Sequence, residues 1–268
     1  MKFRPTFLYG TAWKEDRTEG LVTEALKAGF RAIDTANQRK HYFEEGVGRA
    51  LKAAWAGGSL KRGDLFLQSK FTYEGGQDHR LPYDPKAPVA EQVRQSFASS
   101  LEHLGTDYLD SYLIHGPESG DGLTEGDWEA WRAMEELHDQ GKARALGISN
   151  VNAEQVVALV EGARVKPTYV QNRCYPGIGW DPEVREVCRD LEIVYQGFSL
   201  VRPQWLGFAP LVETANRVKH TPAQVLYAFA RQLGMLPMTG TSNQAHMAQA
   251  LESLKLTVEQ GDLEALGA

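Results

Sequence analysis

Cysteine is scarce in these 268 residues: Cys174 and Cys188 are the two, too few for a disulfide framework and at no metal-ligand spacing. A reduced, cytoplasmic protein without a metal site is the simple expectation. No apolar run approaches the roughly 20 residues that a membrane span needs. The first ten residues, MKFRPTFLYG, have neither a long apolar core nor a small-residue cleavage site, so no signal peptide is expected. Positive charge is not in excess. The 29 Lys and Arg against 35 Asp and Glu give a formal net charge of −6, which argues against a nucleic-acid surface. Also missing are a long linker, a break in composition and any repeat longer than a strand–helix unit. One domain over residues 1–268 is expected.

What is present is alternation. With 42% hydrophobic and 24% charged residues the composition is that of a globular protein. Strand-like segments fall at 7–12, 30–36, 64–71, 108–116, 144–150, 167–173, 193–200 and 235–240. Helical patterns follow them. Residues 18–28 place Leu21, Val22, Ala25 and Leu26 on one face before Gly29, and 43–56 run to Gly57-Gly58. Val89 to Leu104 is bounded by Pro88 and Gly105, and a further helix carries Trp128, Trp131, Met134 and Leu137. Another runs through Val156, Val157 and Val160. Asp181-Pro182 reads as an N-cap with proline at N1, opening a helix with Val184, Val187, Cys188 and Leu191 inward. Residues 210–219, a helix opened by Thr221-Pro222 and closed by Gly234, and 243–254 complete the set. Eight strands alternating with helices predict a (β/α)8 barrel. A doubly wound sheet is the alternative, but no strand–helix turn carries G-x-G-x-x-G.

In such a barrel the chemistry lies at the C-terminal strand ends. The polar residues there are Thr11 and Trp13, Asp34, Lys70, His115, Ser149-Asn150, Gln171-Asn172, Ser199, and Thr239 to Asn243. The stretch from Gly29 to Ala50 is the densest, with Asp34, Arg39, Lys40, His41, Tyr42, Glu44 and Glu45 crowded between a strand and a helix. An ordinary connection needs no such set. The residue types suggest roles. A lysine ammonium near a tyrosine favours the phenolate and lowers its pKa, so Lys70 is suited to activate Tyr42, with Asp34 holding Lys70 charged. His115 would orient a carbonyl. Together they suit protonation of an oxygen that gains negative charge.

These residues and their order resemble the aldo-keto reductases. The resemblance spans nearly the whole chain: GTAWK, FRAIDTA, EEGVGRAL, LFLQSK, YLDSYLIHGP, ALGISN, KPTYVQN, QGFSL, TPAQVLYAFA and PMTGTS, each on the expected strand or helix. It implies a barrel that transfers hydride from a nicotinamide cofactor, usually NADPH, to an aldehyde or ketone. Asp34, Lys70 and His115 resemble three members of the family's Asp-Tyr-Lys-His tetrad. Ser149, Asn150 and Gln171 match positions that hydrogen-bond the nicotinamide carboxamide, and Phe198 holds the place of the aromatic stacked on that ring. Ser199 and Leu200 would approach the pyrophosphate, Thr11 belongs with the cofactor-binding set, and Trp13 resembles a wall of the substrate pocket.

Three departures stand out. The family's tyrosine follows the aspartate by five residues, where this chain has Arg39. Counting back from Glu44, Val47 and Gly48 reaches His41, one short of Tyr42. Tyr42 is the expected proton donor, His41 the alternative and Tyr73 a distant third. Second, the lysine and arginine that grip the adenosine 2′-phosphate are replaced by Gly240 and His246, with Thr241 and Asn243 as remaining donors. NADP(H) is expected over NAD(H), with less electrostatic support. Third, the chain ends at Ala268 without the family's usual tail over the pocket, which implies a more open site.

Trp128 and Trp131 read as core. Trp180 and Trp205 fall in loops after strands six and seven, and Trp180 joins Trp13 and His41 as a candidate pocket residue. The acidic stretch 118–127 reads as a solvated loop. A small carbonyl compound is the expected partner, acting on a monomer or weak homo-oligomer. Two other functions fit the residues: a lyase forming a Schiff base on Lys70, and a sensor that holds the cofactor with little turnover.

Overall fold

A computed structural model describes residues 4–58 and 60–267. The first three residues of the N-terminal stretch, and the chain end at Ala268, lie outside the described residues. Eight parallel strands pair in sequence order, and the last pairs with the first. They are β1 (Leu8–Gly10), β2 (Ala32–Asp34), β3 (Phe66–Phe71), β4 (Ser111–Ile114), β5 (Leu146–Ser149), β6 (Tyr169–Arg173), β7 (Val194–Phe198) and β8 (Leu236–Thr239). Between them run α1 (Thr18–Ala28), α2 (Glu44–Ala56), α3 (Val89–Leu104), α4 (Glu125–Asp139), α5 (Ala153–Gly162), α6 (Pro182–Asp190), α7 (Ala209–Val218) and α8 (Pro222–Gln232). After β8 come α9 (Gln244–Glu252) and α10 (Gln260–Ala265). This is the expected (β/α)8 barrel. Among the described residues no helix is long and apolar enough to cross a membrane.

Strand alternation divides the core. Side chains such as Tyr9, Ile33, Leu67, Tyr112, Ile148 and Val170 point outward and join the helices in one large cluster. Their neighbours Leu8, Ala32, Phe66, Ala145, Tyr169 and Leu236 form a separate apolar cluster inside the barrel. Helix ends follow the local chemistry. Gly29 takes a left-handed conformation (φ 115°) that closes α1, while Thr124 and Thr221 cap α4 and α8 by accepting from the N–H groups of Asp127 and Gln224.

One glycine fixes how close two helices come. A Cβ on Gly48 of α2 would sit 1.9 Å from the carbonyl oxygen of His103 in α3. Gly48→Ala therefore forces the helices apart and should cost about 1–3 kcal/mol or more, read as a lowered melting temperature. An unchanged melting temperature would contradict this packing.

The structure departs from the sequence expectations in places. Strands are shorter than the apolar runs, because pairing stops where the ends bend into loops. Asp181 does not cap α6 with its side chain. It adopts a left-handed conformation, and its carboxylate instead accepts from Tyr195 Oη (2.7 Å) and Asn172 Nδ2 (2.9 Å). Leu191, expected inward, lies past the helix end and is exposed. The short α10 has no helical pattern strong enough to have been singled out.

Candidate active site

Above the apolar cluster, the barrel interior turns polar. Asp34 ends β2, and its Oδ1 accepts from Lys70 Nζ (2.7 Å), Gln68 Nε2 (2.7 Å) and Gln171 Nε2 (3.0 Å). Its Oδ2 accepts from Lys70 as well, at 2.8 Å, and the Thr35 carbonyl takes another bond from that ammonium at 2.9 Å. Gln196 closes the set by accepting from Gln68 and Gln171, both at 2.8 Å, and donating back to Gln68. A buried ion pair is tolerable when its remaining valences are met, and here four strands supply the partners. Lys70 is 0% exposed. Burial pushes its pKa down, and the opposing pull of Asp34 and Glu44 resists that.

The loop from Thr35 to Phe43 is tied to this platform by backbone bonds from Thr35 N to Gln68 O and from Asn37 N to Lys70 O. A turn at Gln38–His41 then brings Tyr42 over it. The Lys70 ammonium lies 5.4 Å from the centre of the Tyr42 ring, and the His115 ring meets Tyr42 edge-on at 5.7 Å. One expectation is corrected here. Lys70 was to lower the Tyr42 pKa, but its charge is engaged by both Asp34 oxygens. Burial and the Asp34 charge hold the phenol well above its ordinary value. His115 is also kept neutral: burial first, then Lys70 and His41, push its pKa down to about 3. Its Nδ1 shares a 2.7 Å hydrogen bond with the Thr72 hydroxyl.

His41 takes a different position. Its Nδ1 pairs with Gln38 Oε1 at 2.8 Å, and its ring stacks 3.8 Å from that of Trp13, which is 68% exposed at the rim. Tyr73 lines the same space, but its hydroxyl donates to Asp127 Oδ1 at 2.9 Å. The acidic loop is thus not wholly solvated: Asp127 is buried and bonded.

A cavity of about 1230 Å³ opens at the strand ends. It is lined by Asp34, His41, Tyr42, His115 and Trp13 on one side, and by Ser149, Asn150, Gln171, Phe198, Ser199 and Leu200 on another. Gly240, Thr241 and His246 line its far wall. Four expected residues are not in that wall, Lys70 among them because it is wholly buried on Asp34. Thr11 is buried behind it, its hydroxyl spent on the Asp34 carbonyl at 3.0 Å. Asn243 caps α9, its Oδ1 accepting from His246 N at 3.2 Å. Trp180 is 1% exposed and sits in the core, its ring tilted against Phe229 at 4.8 Å with Nε1 donating to Leu266 O. The left-handed backbone at Trp180 and Asp181 turns that ring inward.

Trp13, Asn150 and Ser199 all line the cavity with positive φ angles of 62°, 56° and 61°. Non-glycine residues in that region carry strain, which clusters at functional sites. Sequence reading missed Gln68, Gln196, Thr72 and Lys14. A signal existed for the first: period-two alternation puts Gln68 on the same face as Lys70.

The cavity is larger than the roughly 300–1,000 Å³ cleft that one drug-sized ligand fills. Polar side chains and three cations, Lys14, Arg17 and Arg173, stand in its wall, and Phe198 offers a flat apolar surface. That donor set fits a dinucleotide together with a small second ligand.

Known proteins agree with this architecture. The model of the Aldo/keto reductase family matches residues 8–267. The chain is 31% identical over 271 residues to an aldo-keto reductase of Bombyx mori, covering 94% of this chain and 83% of that one. It is 30% identical over 248 residues to a glyoxal reductase of Bacillus subtilis, covering 92% and 81%. Among solved structures, the Bombyx mori aldo-keto reductase in complex with NADP superposes with a TM-score of 0.84 at 25% identity, over 98% of this chain and 88% of that one.

Proposed function

We propose that this chain, which belongs to the aldo/keto reductase family, reduces small aldehydes or ketones to alcohols with Tyr42 as proton donor and NADPH preferred over NADH. The observation that carries the reading is the buried Asp34–Lys70 pair beneath a neutral Tyr42 and a neutral His115 at one wall of a dinucleotide-sized cavity. The preference for NADPH draws support from the relative crystallised with NADP. When bound, a reduced nicotinamide supplies hydride to the carbonyl carbon.

The chain's own residues deal with the oxygen. Tyr42 keeps its proton at rest, as its raised pKa requires, and releases it only to an oxygen more basic than itself. An alkoxide forming at the carbonyl carbon meets that condition. The Tyr42 O–H bond breaks, the alcohol O–H bond forms, and the resulting phenolate faces the Lys70 ammonium. His115 orients the carbonyl. In the tautomer in which Thr72 donates to Nδ1, Nε2 carries a hydrogen for the carbonyl oxygen. Ser149, Asn150 and Gln171 would hold the carboxamide and Phe198 the ring face. Ser199 and Leu200 would meet the pyrophosphate, and Gly240, Thr241 and His246 the adenosine end.

A Schiff base on Lys70 has weaker support, because its ammonium is buried and spent on Asp34 and Thr35. Oxidation of NADPH or NADH, followed by absorbance against a panel of aldehydes and ketones, tests the proposal. No turnover with either cofactor across the panel would overturn it. Because burial, with Lys70 and His41, pushes the His115 pKa down to about 3, the ring stays neutral from pH 5 to 8. The expected profile of kcat/KM therefore has no inflection from His115 in that range, and His115→Ala lowers activity without changing its shape. An inflection near pH 6.5 that vanishes in His115→Ala would contradict this.

A further inference from the structure

The loop after β1 ends in a single 3-10 turn, Glu15–Arg17, with Lys14 before it. Lys14 folds back into the barrel mouth and is 3% exposed. Its Nζ donates to the Gly240 carbonyl at 2.7 Å and lies 5.2 Å from the centre of the Tyr9 ring. Among the described residues no carboxylate pairs with it, nor with Arg17, which lines the same cavity. Burying a lone ammonium is costly unless an anion answers it. One hydrogen of Lys14 goes to Gly240, which leaves two for a ligand. Burial and the neighbouring Arg17 push its pKa down to about 8, as expected of an ammonium without a counter-ion.

The position of this charge is informative. The cavity has cations at two places: Arg173, beside Phe198 on the β6–β7 side, and Lys14 with Arg17 beside the loop after β8. That loop offers Gly240, Thr241 and Ser242 but no cation, and a Cβ on Gly240 would stand 3.9 Å from Lys14 Nζ. The lysine thus reaches from another strand into the space where a side chain at 240 would begin. NADPH carries its phosphates in two separate groups, whereas NADH carries only the pyrophosphate.

We propose that Lys14, assisted by Arg17, binds the adenosine 2′-phosphate and is the residue that selects NADPH over NADH. The inference rests on reading the cavity as a nicotinamide dinucleotide site. Charge-assisted hydrogen bonds of this kind contribute about 1.5–3 kcal/mol, or about 10- to 100-fold in affinity.

Dissociation constants for NADPH and NADH, measured by quenching of tryptophan fluorescence, provide the test, with adenosine 2′,5′-bisphosphate and AMP as shorter probes. Lys14→Met should weaken NADPH and the bisphosphate by about 10-fold or more while leaving NADH and AMP within about 2-fold. Arg17→Gln, an exposed change, should reduce the NADPH-to-NADH ratio by a smaller factor, and Lys14→Arg should keep most of it. Melting temperatures of each variant separate lost binding from lost folding. Equal weakening of NADPH and NADH would place the ammonium on the pyrophosphate and overturn the proposal, as would NADPH affinity unchanged in Lys14→Met. A wild-type protein that binds neither dinucleotide would instead remove the reading of the cavity on which the proposal stands.

Discussion

Tyr42→Phe should lower kcat/KM for carbonyl reduction by about 10³-fold while leaving NADPH affinity within a few fold. General acid catalysis by one positioned group contributes roughly 10²- to 10⁴-fold, and the substitution removes only the hydroxyl. The ring, with its edge against His115 and its face toward Lys70, is retained. The companion variant is His41→Ala. That imidazole pairs with Gln38 and stacks on Trp13 at the rim, so its loss should act mainly on KM. Measuring both variants with one aldehyde separates the two candidates that counting along the loop leaves open. Full reductase activity in Tyr42→Phe, or collapse of kcat in His41→Ala alone, would move the proton donor to another residue.

Lys70→Met should reduce activity as severely and also destabilise the protein. Removing one partner of a buried ion pair costs about 3–5 kcal/mol, because the other charge is left uncompensated. Asp34 would keep hydrogen bonds from Gln68 and Gln171 but lose its cation. For a chain of this size the melting temperature should fall by on the order of 10 °C. The double variant Asp34→Leu with Lys70→Met removes both charges, so it should regain part of the lost stability and none of the lost activity. A Lys70→Met protein as stable as wild type would mean that the pair is not held as described. Recovery of activity in the double variant would remove Lys70 from the chemistry.

Much of this architecture is legible in the chain, for identifiable reasons. Strands buried on both faces give continuous apolar runs, and Gly29, Gly105 and Thr221-Pro222 mark helix ends by mechanisms that act locally. Asp34, Lys70 and His115 are readable because each breaks such a run at its end. Residues whose roles depend on distant partners are not. Trp180 looks like a loop aromatic until the left-handed turn at 180–181 carries it onto Phe229 and Leu266. Gln68 and Gln196 meet across 128 positions of sequence. Nothing local marks Lys14, because its partner carbonyl lies 226 positions away. Thr11 and Asn243 sit at plausible positions but spend their side chains on the backbone.

Hydride transfer itself can be followed with NADPH deuterated at both C4 positions and an aldehyde that the wild-type protein turns over. Mass spectrometry of the alcohol should find one deuterium on the carbinol carbon for each NADPH oxidised, with the hydroxyl proton drawn from solvent through Tyr42. An alcohol without that deuterium, or a substrate adduct trapped on Lys70 by borohydride, would contradict the account.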